Sequence, residues 1–534
     1  MSEYASTEGT KSQRQIGEDL GIPRSTLQYW LTRKHHIDAE PELVSFFESP
    51  VGTAFLHRLA IGAHFVITLS GAGSVRHVCQ LFELIGIDQF IASSYGAQYN
   101  VSVNMEQAII DFDHSERTRL AESMPHKDIT VCQDETFHPE TCLVAIEPVS
   151  NFILLEKYAQ SRKASEWTKA MEEATCGLPI SIVQSTSDEG KGILHHVKND
   201  LGVQHTPDVF HVQHEIVKGT SAVLAGKKKK AEKRLMQATE EGDRLVREKE
   251  VYWQTPHGPG RPPQFDTRIE ASQQSQEEAR RDVETAESQQ RRMKEAIKKI
   301  SNVYHPVDLE TGNLRRADEV AACLHDCFSE IEAVSSEANL LDRSVKRIQK
   351  AKRVMADMVA TILFYHLTVL GKIEALSLPE KVERAVMDTL IPGLYIKRVS
   401  KQAKKADERR DLRMLSQNIL VQLQGESSPF ADLNAEELQL IKQVAEECAN
   451  MFQRSSSCVE GRNGQLSLRH HGLHRLSNRK LAALTAVHNY FIRRTDGTIA
   501  AERFFGTKPK AMFEFLLNNI DLPGRPAKGR WPKL

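Results

Sequence analysis

The chain has 534 residues, with 70 Lys+Arg against 71 Asp+Glu and 40% hydrophobic residues, enough apolar material for several cores. A net charge of −1 excludes a uniformly basic coat protein, so any nucleic-acid binding must come from segregated basic patches. No run of about 18 apolar residues and no signal-peptide core is evident, and the eight cysteines form no Cys-x-x-Cys pair, so an intracellular protein with reduced structural thiols is expected.

Residues 1–40 read as a helix-turn-helix. A first helix buries Ile16 and Leu20, Gly21 turns the chain, and a second helix starting near Pro23 buries Leu27 and Trp30 or Leu31. Arg24, Ser25, Thr26, Gln28 and Tyr29 fall on the exposed face of the second helix. Its Ser, Thr and Arg suit phosphate contacts, and Arg and Gln suit base edges in the major groove. Residues 41–124 are apolar at helical spacing, and the break at Gly86-Ile87-Asp88 allows a second DNA-binding hairpin or an ordinary helix pair.

From Pro125 the period changes. ITVCQDETF (129–137), TCLVAIEPV (141–149) and NFILLEKY (151–158) predict three strands in a meander, followed by a helix near 164–174, a strand within 177–190, a short helix, and a strand over 206–216. That order predicts an α/β sheet over 125–214. Lys/Glu/Arg-rich stretches at 222–254 and 267–300, separated by PHGPGRPPQ, predict a long antiparallel hairpin inside an all-helical segment, 215–450. Residues 451–505 and the tail 506–534 form the basic end of the chain. Arg462, Arg469 and Arg475 are candidate DNA contacts there, while His470, His471 and His474 lack the partners of a zinc site. Burial is the expectation for Trp167 and Trp253.

Asp134 ends the first strand and Asp188 the fourth, each followed by a glutamate and a loop, where α/β sheets present their chemistry. Two converging carboxylates suit a hard divalent cation; singly, each equally suits a strand end or a helix cap.

VCQDETF, QSTSDEGKG, PDVFHVQH and SSCVEGRNGQLSLRHHGLHRLS, in this order, resemble the ribonuclease-H-like core of DDE transposases, in particular insertion-sequence enzymes whose core is interrupted by a helical insertion. The resemblance implies a multidomain protein: an α/β ribonuclease-H-like core split by a large all-α insertion, with an amino-terminal all-α helix-turn-helix region. It implies Asp134, Asp188 and Glu460 as the catalytic, metal-holding acids. Asp208 is a rival for the second acid, His211 an orienting or core histidine on the next strand, and Glu502 a rival for the third acid. Two Mg²⁺ or Mn²⁺ ions about 3.5–4 Å apart would serve in-line phosphodiester displacement. The implied partners are double-stranded DNA, as transposon ends and target, and a second copy in a homodimer or larger assembly. The implied location is the bacterial cytoplasm, with nucleoid association on DNA. A non-catalytic DNA-binding descendant and a nuclease without strand transfer are the alternative functions.

Overall fold

The computed structural model describes residues 11–34, 39–137, 140–256, 258, 260–425, 427–473 and 476–524. The chain divides into two compact units, one made of 1–181 with 457–534 and the other of 182–456.

In the first unit, α1 (Gln13–Asp19) and α2 (Arg24–Lys34) form the helix-turn-helix, with Ile16 and Leu27 buried between them. Ser12 caps α1 and exchanges hydrogen bonds with Gln15. A side chain at Gly17 would press on the Ile22 carbonyl 2.9 Å away, and Gly21 turns at φ 65°. Helices α3 (Pro41–Glu48), α4 (Pro50–His64) and α5 (Val75–Leu84) close a small core around Phe47, Leu56, Val78, Phe82 and Phe90. The longer α6 (Tyr95–Ser123) buries Val101, Met105, Ile109 and Phe112 at helical spacing.

The expected meander follows as β1 (Lys127–Phe137), β2 (Thr141–Glu147) and β3 (Phe152–Ala159), all antiparallel. Glu147 tightens the β2–β3 turn by accepting from the Val149 and Ser150 amides at 2.9 and 2.7 Å, and Asn151 adopts φ 63°. Helix α7 (Ala164–Thr175) then leads to β4 (Ile180–Ser187). A short α8 (Lys191–His195) with a π-helical extension connects β4 to its parallel neighbour β5 (Gln204–Pro207). The result is one small mixed sheet with strand order β3-β2-β1-β4-β5.

The predicted strand over 206–216 forms only at its start, 206–207, as the end of β5. The chain leaves β5 at Pro207, Asp208 caps the next helix, and Val209, Val212 and Ile216 are the buried stripe of α9 (Val209–Gln254), so His211 stands on a helix. An i, i+3, i+7 stripe wins over a β-rich composition once a cap residue precedes it. Helix α9 and α10 (Phe265–Val303) form the expected antiparallel hairpin, bridged by Lys228–Glu287, Arg234–Asp282 and Lys249–Asp266.

The rest of the second unit is helical: α11 (Ala317–Glu337), α12 (Asp342–Arg353), α13 (Met355–Glu374), α14 (Glu380–Ala385), α15 (Ile391–Gln402), α16 (Ala406–Val421) and α17 (Ala435–Met451). They share a core in which Phe328, Tyr365, Tyr395 and Phe452 are buried. The first unit ends in α18 (Ser457–Leu473), α19 (Asn478–Tyr490), α20 (Ala500–Phe505) and α21 (Met512–Asn519).

Two helical stretches, Pro50–Ser70 and Asp342–Glu374, are long and apolar enough to cross a membrane by length and composition alone. Their apolar residues include the core side chains Leu56, Ala60 and Ile61 in one and Met358, Ile362 and Tyr365 in the other.

Candidate active site: an acid row under helix α18

The site in the first unit starts from the pleat of the meander. Asp134 faces Val144 across β1–β2, and Val144 faces Glu156 across β2–β3. Directly opposed residues share a face, so Asp134, Val144 and Glu156 form one row across three strands, roughly 10 Å long at the usual strand spacing.

Helix α18 lies on that row. Its buried stripe is Val459, Arg462 and Leu466. Arg462 meets Glu156 with two hydrogen bonds, Nε to Oε1 at 2.8 Å and Nη2 to Oε2 at 2.6 Å, and Thr485 adds a third donor to Oε2 at 2.6 Å. The two charged side chains are 6% and 0% exposed. Asn463 donates from Nδ2 to Asp134 Oδ2 at 3.2 Å, and Asp134 Oδ1 accepts from the Glu135 amide at 2.8 Å. Further along the helix, His470 Nε2 lies 3.3 Å from the Tyr158 hydroxyl.

Glu460 stands in the first turn of α18, one helical turn before Asn463 and on the same side. Glu135, on the other face of β1, is occupied by Arg162 and by the indole N–H of buried Trp167 at 3.0 Å, which fastens α7 to the sheet. Trp253, expected to be buried, is 60% exposed.

Asp188, Asp208 and His211 lie in the second unit. Asp188 is half-buried after β4, and its Oδ1 accepts from the Gly190 amide at 3.0 Å, a turn that leaves no room for a Cβ at Gly190. Burial, with Asp357 and Asp188 adding to it, pushes the neighbouring Glu189 carboxyl up to about 7.

Asp208 is committed elsewhere. Its Oδ1 caps α9 through the Phe210 amide at 2.7 Å, and its Oδ2 accepts from the Ser456 amide at 2.9 Å and from the Ser456 hydroxyl. Bonded in this way, the Asp208 carboxylate serves the fold as a helix cap. His211 carries a buried Nε2 with no hydrogen-bond partner. Glu502 is in the first turn of α20, whose Phe504 stacks on Phe152; α18 rather than α20 supplies the hydrogen bond to Asp134.

Two candidate DNA contacts have partners within the fold: Arg462 pairs with Glu156, and Arg469 donates to the carbonyls of Leu69, Ser70 and Gly71, closing the end of the π-helical turn Phe65–Ser70. Arg24 and Ser25 are exposed at the start of α2, as expected, with Thr26 half-buried and Gln28 exposed. The Tyr29 side chain, His474, Arg475 and residues 525–534 lie outside the described residues.

The donor chemistry at Asp134, Asp188 and Glu460 is that of hard carboxylate oxygens, which suits Mg²⁺ or Mn²⁺. Among the described residues, no three His, Cys, Asp or Glu side chains stand close enough to form a metal cluster by themselves. A cleft of about 950 Å³ in the first unit, lined by Asp113, Arg117, Leu155 and Thr485 among others, includes neither Asp134 nor Glu460.

Residues 386–532 match a family model, DUF6399, a family of unknown function. Comparison with curated protein sequences finds no match. The matched segment runs from the end of the helical unit through α18 to α21, so it contains Glu460, Arg462 and Asn463.

Sequence reasoning missed Glu156 and the structural role of Asn463. The available signal for the first was one acid inside the apolar strand FILLEKYA, and for the second its place three residues after Glu460.

Proposed function

We propose that this chain is a DDE-type transposase that performs metal-dependent cleavage at transposon ends and joins the freed ends to target DNA. The observation that carries the reading is the hydrogen bond from Asn463 to Asp134, which ties the helix following the long helical unit back to the first strand of the meander. That is the place where an insertion-bearing ribonuclease-H-like core carries its last acid, and Glu460 is on that helix. An antiparallel meander followed by a parallel pair, in strand order β3-β2-β1-β4-β5, supports the same core.

In this reading Asp134, Asp188 and Glu460 would hold the divalent ions, which would supply Lewis-acid stabilisation for phosphodiester displacement. The chain's own contribution is orientation. Asn463 and the Glu135 amide fix both oxygens of Asp134, and the Arg462–Glu156 pair fixes the helix that carries Glu460. No Ser or Tyr nucleophile is required, since water attacks first and the released 3′-hydroxyl attacks second. The exposed face of α2 supplies end recognition, and two copies acting together on double-stranded DNA would hold the paired ends.

The test is cleavage and strand transfer on DNA carrying the element's own ends with Mg²⁺ or Mn²⁺. Asp134→Asn, Asp188→Asn and Glu460→Gln are each expected to abolish both steps while leaving end binding intact. End-specific binding by a wild-type chain that never cleaves would instead support the non-catalytic, DNA-binding alternative.

A further inference from the structure

We propose that Asn463 is more than a strut for Asp134: its side-chain carbonyl oxygen is a direct ligand of the divalent ion held by Asp134 and Glu460. This rests on the metal-dependent reading above and adds a fourth protein oxygen to it.

The orientation of the amide follows from its neighbour. An ionised carboxylate only accepts, so the NH₂ end of Asn463 faces Asp134, at 3.2 Å, and Oδ1 points away from that contact. That Oδ1 is buried and has no hydrogen-bond partner. A buried amide oxygen left unsatisfied is costly, and a structure retains one readily where a ligand completes it.

The surroundings select the ligand. Asp134 is bonded to the NH₂ end of Asn463, and Glu460 stands one turn earlier on α18. Anionic neighbours disfavour an anion and favour a hard cation, for which an amide carbonyl is an ordinary neutral donor. The amide is also held in place, because α18 is anchored on both sides of it: Arg462 to Glu156, and His470 to Tyr158. A neutral oxygen adds coordination without adding negative charge where a phosphate must approach.

The experiment is Mn²⁺ titration of the full chain without DNA, by calorimetry and by the loss of the free-ion electron paramagnetic resonance signal. Wild type is compared with Asn463→Ala, Asn463→Asp and Asp134→Ala, with folding checked by circular dichroism. Asn463→Ala is expected to weaken Mn²⁺ binding about tenfold or more, the scale on which loss of a supporting group at a metal site is felt. Asn463→Asp keeps the shape and an oxygen donor, and is expected to bind Mn²⁺ at least as tightly as wild type.

Unchanged affinity in Asn463→Ala, with binding lost in Asp134→Ala, would overturn the inference while leaving the metal-dependent reading standing. Weakened binding in both Asn463→Ala and Asn463→Asp would reduce Asn463 to a positioning residue. A wild-type chain with no saturable Mn²⁺ site would remove the metal-dependent reading, and this inference with it.

Discussion

Arg462 and Glu156 form a bidentate ion pair between helix α18 and the third strand of the meander, with side chains 6% and 0% exposed. Breaking such a pair strands a charge in a low-dielectric interior, so Arg462→Ala should destabilise the first unit by about 3–5 kcal/mol. The double variant Arg462→Met/Glu156→Leu removes both charges and should recover most of that loss. Hydrogen exchange of β3 and α18 reads the effect locally, which a single melting temperature of a two-unit protein does not. A double variant no better than Arg462→Ala would contradict this account of the pair.

Asp208 provides a contrasting case. Asp208→Ala should fray the start of α9 and loosen 454–457, because one side chain serves both the Phe210 amide and Ser456. A loss of about 1–3 kcal/mol is expected, confined to those amides in hydrogen exchange, with Mn²⁺ binding unchanged. Loss of Mn²⁺ binding with the α9 amides still protected would restore Asp208 as a metal-holding acid.

The pH dependence of the first unit has a defined acid limb. Burial first, and then the Arg462 charge, lowers His488 from 6.5 to about 4, and its Nε2 lies 2.9 Å from the Asn151 carbonyl oxygen. The folded state therefore binds this proton less readily than the unfolded state. The contribution of His488 is fully present above about pH 6.5 and is lost as pH falls through about 4. His488→Gln should flatten that limb of the stability profile, measured by denaturation of the first unit between pH 7 and pH 4; an unaltered limb would show that His488 does not titrate as described.

The α9–α10 hairpin carries cross-helix ion pairs whose members are about half exposed, such as Arg234–Asp282. Pairs of that kind contribute about 0.2–1 kcal/mol each, so Arg234→Ala should hardly alter the arm. The closer constraint is steric. A side chain at Gly242 would collide with the end of Gln276 and come within 3.1 Å of Ser272 Oγ. Gly242→Val should therefore push the Gln276 amide off the Ala238 carbonyl and lower hydrogen-exchange protection there, while Arg234→Ala should leave that protection alone.

Much of this fold could be read from residue order. Ile16 and Leu27 flanking Gly21, the β-branched run before Asp134, and the Lys/Glu-rich arm each follow a local rule, and each matches the element formed. The reading failed where burial decides the role of a polar residue. Arg462 and Arg469 look the same as surface arginines in sequence, yet one neutralises a buried acid and the other satisfies carbonyls. At 206–216 a strand-like composition concealed a capping aspartate, and the helix that follows turned the supposed strand residue His211 into a helical one. The acid row is half legible: Asp134 stands out in its motif, whereas Glu156 reads as one acid in an apolar strand, and the contact that joins the row to α18, Asn463 to Asp134, spans 329 positions.

The most direct measurement of the central claim is Mg²⁺- or Mn²⁺-dependent cleavage and strand transfer by the full chain on DNA carrying the element's ends, with Asp134→Asn and Glu460→Gln run in parallel. The account predicts both steps in wild type, and neither step in the two variants, which still bind the ends. Cleavage that persists in a folded Asp134→Asn or Glu460→Gln chain would contradict it.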